Sequence, residues 1–168
     1  VVLRLQLPGS SPLSLLGVSL TFGAVIPACY VVLLLSRKKV GGLFEPNRLA
    51  RVRPLIVSTA SCLTGSVVLR YLSPPDALVA LMLSYAVLGM AMTLLSMYWK
   101  ISLHAAGVWG PVAALGYLFG SSTVYLIPVA VGVSWARVAL GTHTPLQVGA
   151  GGGVAVCITW GVFKALGL

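Results

Sequence analysis

Apolar residues do not alternate with polar ones along this chain. They come in long runs, and the polar residues gather in the short gaps between them. A helix needs roughly 20 apolar residues to cross a hydrocarbon core of about 30 Å. Six runs approach or reach that length. They predict an all-α polytopic membrane protein, a six-transmembrane-helix bundle forming a single domain over 1–168, with helices at about 12–35, 54–72, 77–99, 102–120, 122–140 and 144–166. The punctuation agrees with this division. Ser36-Arg37-Lys38-Lys39 ends the first run, and Pro54 suits the first turn of the second. Ser73-Pro74-Pro75-Asp76 breaks before the third, and Gly141 and Pro145 mark the turn into the sixth. Gly149, Gly151, Gly152 and Gly153 lie inside that last run, where small residues let helix backbones approach closely.

Composition sharpens the picture. Of 168 residues, 58 % are hydrophobic and 8 % charged, against roughly 25 % charged in an ordinary soluble domain. These figures exclude a soluble globular domain and a disordered tail. The net charge of +9 comes from eleven Lys and Arg residues set against Glu45 and Asp76. The cations sit between runs of membrane-spanning length, so lipid phosphate rather than nucleic acid is the expected anion. Cys29, Cys62 and Cys157 each fall inside an apolar run with no CxxC pattern, and read as small buried hydrophobes. The chain opens at Val1, which leaves room for a preceding leader or segment.

Six spans put the first, third and fifth loops on one side. That side then holds Arg37, Lys38, Lys39, Arg48, Arg51, Arg53, Lys100 and Arg137, with both histidines, His104 and His143. Arg4, Arg70, Asp76 and Lys164 fall on the other. Arg37, Lys38 and Lys39 fit a positive-inside anchor. Three further constellations point to phosphate chemistry. Arg53 stands at the mouth of the second helix, where a guanidinium fork can hold phosphate oxygens in a bidentate way, with Arg48 and Arg51 as auxiliary cations. Lys100 and Ser102 can donate to phosphate oxygens, two residues before His104. Arg137 ends an apolar helix, where a charge is costly without a partner. His143 opens the sixth helix, and Gln147 follows four residues later, one helical turn on. The Gln147 amide oxygen is thus placed to accept from one ring nitrogen of His143 and turn the other toward a substrate, as a nucleophilic histidine requires.

These residues resemble the type 2 phosphatidic acid phosphatase superfamily of membrane lipid phosphatases. That family carries Lys, six residues, Arg-Pro; then Pro-Ser-Gly-His; then Ser-Arg, five residues, His, three residues, Asp. Arg53-Pro54 matches the end of the first motif, Ser102 and His104 the second, and Arg137 with His143 the third in spacing. The chain departs from the pattern at Pro46, Ile101, Leu103, Ala136 and Gln147, where the family has Lys, Pro, Gly, Ser and Asp. The resemblance implies that His143 attacks phosphorus to form a phosphohistidine while His104 protonates the leaving oxygen. Arg53, Lys100, Ser102 and Arg137 would bind the phosphate, and Gln147 would take the orienting aspartate's place.

The expected activity is hydrolysis of a lipid phosphate of the phosphatidic acid or prenyl (di)phosphate class. The expected partners are that amphiphilic substrate and membrane lipids, in a multi-pass protein of a bacterial or archaeal cell membrane or an organelle membrane. No cofactor or metal is expected: Glu45 is the one acid on the basic side, and two histidines alone make a poor cation site. The alternative is a catalytically degenerate relative that binds lipid phosphate or serves as a structural subunit of a membrane complex. A small transporter is disfavoured because the apolar runs carry few polar residues beyond Ser, Thr and Tyr.

Overall fold

The apolar runs become helices and the polar gaps become the turns between them. The computed structural model describes residues 11–37, 48–72 and 75–168, with the backbone alone for 48–51. Helix α1 runs continuously over Pro12–Ser36, with Ser11 Oγ capping it by accepting from Ser14 N at 3.2 Å. Its middle, Thr21–Val25, is a π-helical turn placed just before Pro27. Proline has no N–H to offer a preceding carbonyl. The Phe22 carbonyl, five residues back, instead accepts Ser61 Oγ at 2.6 Å from the neighbouring helix.

Helix α2 is Arg48–Tyr71 and α3 is Asp76–Tyr98. They pack along each other, and Arg70 meets Asp76 at 3.0 Å across their connection. That pair is well exposed, so it contributes at most about 1 kcal/mol. Helix α4 is Leu103–Phe119, a 3₁₀ segment covers Gly120–Leu126, α5 is Ile127–Ala139 and α6 is Pro145–Ala165. Among the described residues there is no strand.

Among the described residues five helical stretches are long and apolar enough to cross a membrane, not the six expected. The difference lies in 103–139, expected as two spans and found as one helical stretch, Leu103–Ala139. Its second arm, α5, has 13 residues. At about 1.5 Å per residue that is roughly 20 Å, short of the hydrocarbon thickness. The polar Gly120-Ser121-Ser122-Thr123 segment winds as 3₁₀ and takes up the remainder. Gly120, at φ 62°, reverses the chain without a Cβ penalty. The arms then lie side by side, with Trp109 Nε1 on α4 donating to Ser134 Oγ on α5 at 3.1 Å.

Two other expectations are corrected. Pro54 lies inside α2, not in its first turn, because the helix already begins at Arg48. Cys62 is buried, but Cys29 and Cys157 are exposed. They share the outward faces with Leu13, Val32 and Trp135, each more than half exposed. Apolar surface on that scale suits lipid rather than water. The length and apolarity of the five stretches fit a multi-pass membrane protein.

The principal core lies where α3, α4 and α6 meet, around Leu88, Met92, Ile101, Ala106 and Ala155. Two glycines bring α6 this close. A Cβ at Gly151 would stand 2.5 Å from the Ser102 carbonyl oxygen, and one at Gly152 would stand 2.7 Å from Trp109 Cδ1. Close packing, expected of the whole glycine run, holds at these two positions. Gly149 and Gly153 face open space.

Candidate functional site

The starts of α4 and α6 touch, and this contact gathers the candidate residues at one end of the bundle. Ser102 N donates to the Gln147 carbonyl at 3.2 Å. The turn from α5 into α6 is closed by the Arg137 carbonyl, which accepts Thr142 N and His143 N, both at 3.2 Å, and Thr142 Oγ1 at 2.8 Å. Gly141, at φ 64°, permits that tight return. Helix α3 arrives through the short link 99–102. Helix α2 arrives through Leu55, which packs on the same core cluster as Ile101. The second and third sequence constellations are therefore in direct backbone contact, and the first ends, at Arg53, two residues before Leu55.

His143 lies in the turn ahead of α6, partly buried, with Nε2 fully enclosed and Nδ1 3.3 Å from Thr142 Oγ1. Arg137 occupies the last turn of α5, also partly buried, with Nε enclosed. Lys100 is partly buried in the link between α3 and α4. Arg53 is exposed on α2. The backbone of Arg48 and Arg51 belongs to the opening turn of α2, and their side chains lie outside the described residues, as do Lys38, Lys39, Glu45 and Pro46.

Two predicted residues hold helix ends. Ser102 is fully buried, and its Oγ accepts from Ala105 N at 3.3 Å as the N-cap of α4. Gln147 does not accept from the His143 ring. Its Oε1 accepts from Thr144 N at 3.1 Å, while Gln147 N donates to Thr144 Oγ1 at 3.3 Å. This is a reciprocal capping box. Helix α6 begins at Pro145, so His143 precedes the helix. The four-residue stacking rule, which relates residues within one helix, does not reach it.

His104 is exposed at the start of α4 and borders an open groove of about 600 Å³ between α4 and the returning arm. The other walls are apolar, among them Pro111, Leu115, Leu126 and Val129. Of the predicted site residues whose side chains are described, His104 alone lines it.

The electrostatics of this end favour an anion. The N-termini of α4 and α6 meet the C-termini of α3 and α5 here, so the helix dipoles largely offset one another. Arg53, Lys100 and Arg137 supply three full charges. The one carboxylate among the described residues, Asp76, is at the far end with Arg70. Thr142 and Thr144 were not singled out from the sequence. The Thr-x-x-Gln spacing of 144–147 carried a legible signal for the cap; nothing in the sequence pointed to Thr142.

No family model, no curated protein and no solved structure matches the chain.

Proposed function

We propose that the chain is an integral membrane phosphatase that hydrolyses a lipid phosphate, of the phosphatidic acid or prenyl (di)phosphate class, through a phosphohistidine on His143. One observation carries the reading. The Ser102–Gln147 backbone bond joins the segment bearing Lys100 and His104 to the segment bearing Arg137 and His143. A phosphorus atom has to be reached by a nucleophile and a proton donor together, amid positive charge.

In this reading the turn bearing His143 opens to expose the enclosed Nε2, which forms the bond to phosphorus as the bond to the leaving oxygen breaks. His104 gives its proton to that oxygen, then takes one from the water that cleaves the phosphorus–nitrogen bond and releases phosphate. Arg53, Arg137 and Lys100 stabilise charge on the equatorial oxygens. The apolar groove beside His104 takes part of the lipid tail. Ser102 and Gln147 contribute by holding α4 and α6 in register.

A second reading has its own observation. Two motif positions, Ser102 and Gln147, are committed to helix caps. That favours a relative without turnover that binds lipid phosphate or serves as a structural subunit.

Phosphate release by the purified protein in lipid vesicles, from phosphatidic acid and from a prenyl diphosphate, separates the two. The expected result is turnover that falls by at least about three orders of magnitude in His143→Ala, with a matching loss of acid-labile phosphoprotein. Orthovanadate binding without turnover on either lipid would establish the second reading. Neither binding nor turnover would sink the phosphatase and the lipid-phosphate-binding relative, and leave the structural subunit.

A further inference from the structure

The turn between α5 and α6 engages the His143 ring in a chain of hydrogen bonds. A threonine hydroxyl has one proton to give and lone pairs to receive with. The Arg137 carbonyl can only accept, so the 2.8 Å contact from Thr142 Oγ1 uses that proton. The Thr142 oxygen therefore faces His143 Nδ1, 3.3 Å away, as an acceptor. Nδ1 must carry the ring proton, and the neutral ring keeps its lone pair on Nε2.

We propose that Thr142 is the positioning residue for His143: it holds the imidazole in the Nδ1–H tautomer and links it to the C-terminal end of α5. The second half of this follows from where the chain of bonds ends. The Arg137 carbonyl belongs to the last turn of α5, where the helix dipole is negative. As Nε2 attacks an electrophile the ring becomes positive, and its Nδ1–H bond to Thr142 strengthens. The Thr142 hydroxyl is polarised in turn toward the carbonyl. A carboxylate would supply a full negative charge at Nδ1. Here a hydroxyl backed by a helix terminus supplies a fraction of one, with no ionised acid to desolvate. Gln147, committed to the α6 cap, takes no part. The inference rests on the phosphatase reading for its catalytic consequence, and on geometry alone for the tautomer.

The test has two arms. The chain holds two histidines, so ¹⁵N-histidine labelling in the His104→Ala background leaves the His143 ring as the one histidine signal. The expected spectrum above the ring's titration shows a protonated Nδ1 and an unprotonated Nε2. Thr142→Ser keeps it, and Thr142→Val, which preserves shape, moves the ring toward the Nε2–H form. With His104 restored, Thr142→Val is expected to lower kcat by about 10- to 100-fold with little change in KM, and Thr142→Ser to restore most of the rate. An Nε2–H ring in the otherwise unchanged turn would overturn the proposal, as would a Thr142→Val protein that keeps the Nδ1–H form. Full activity in Thr142→Val would remove the catalytic consequence and leave the phosphatase reading standing. The expected tautomer in a protein that releases no phosphate would overturn that reading and retain the positioning by Thr142.

Discussion

Ser102 and Gln147 are joined through their backbones, N–H to carbonyl at 3.2 Å, and each also caps the helix it begins. Two helix N-termini are thereby fastened together by residues whose side chains are already engaged. The bond leaves Lys100 and His104 on one side of the junction and Arg137 and His143 on the other. Four predictions follow from this junction and from the groove beside it.

Gln147→Ala removes half of a capping box, so it should lower stability by about 0.5–2 kcal/mol. Gln147→Glu preserves the reciprocal bonds and adds a favourable charge in the first turn of α6, so it should be neutral or slightly stabilising. Denaturation in detergent micelles measures both. Phosphate release that changes only a few-fold in either variant would fit a residue working through the cap.

Gly151 lies against backbone rather than a flexible side chain. A methyl group there meets the Ser102 carbonyl at 2.5 Å, so the two helix starts must separate. Gly151→Ala should cost about 1–3 kcal/mol. Gly149→Ala and Gly153→Ala enter open space and should be neutral or gain up to about 1 kcal/mol of helix propensity. Equal behaviour of the three variants in reversible unfolding would contradict the packing described.

Gly107 lines the groove beside His104, and a side chain there meets nothing within 4 Å. Gly107→Leu should leave the fold intact while filling part of the groove. The expected result is a KM several-fold higher for long-chain phosphatidic acid and little changed for a short-chain analogue. An equal effect on both substrates would show that the groove does not hold the tail.

Arg137 combines an enclosed Nε with a place beside the His143 turn. Lysine keeps the charge but loses the planar fork. Arg137→Lys should weaken orthovanadate binding by about tenfold, equivalent to about 1.4 kcal/mol, as read by isothermal titration. Arg53→Lys, on an exposed side chain, should have the smaller effect.

The sequence by itself determined the helical class and most of the helix limits. The first, third and last runs were expected at 12–35, 77–99 and 144–166 and are found at Pro12–Ser36, Asp76–Tyr98 and Pro145–Ala165. Each is bounded by a proline, a charge or a cap, and those act locally. The shared end of the Lys100–His104 and Arg137–Gln147 segments was expected from six spans; in the structure the return of α5 along α4 and the Ser102–Gln147 backbone bond bring these two segments together. Tertiary structure decided the rest. Pro54 signals a helix start in isolation, yet the arginines before it extend α2 back to Arg48. Residues 103–139 contain apolar length for two spans, but Gly120 and the 3₁₀ turn leave α5 with 13 residues. Ser102 and Gln147 carry chemistry that would suit a phosphate or an imidazole. A buried helix start has stronger need of them, since its N–H groups find no water. The partner of His143 was the least legible feature. Spacing along a helix describes neighbours inside that helix, whereas His143 lies in the turn before it. There the Arg137 carbonyl, which also accepts Thr142 N and His143 N, draws in the Thr142 hydroxyl and sets it against the ring.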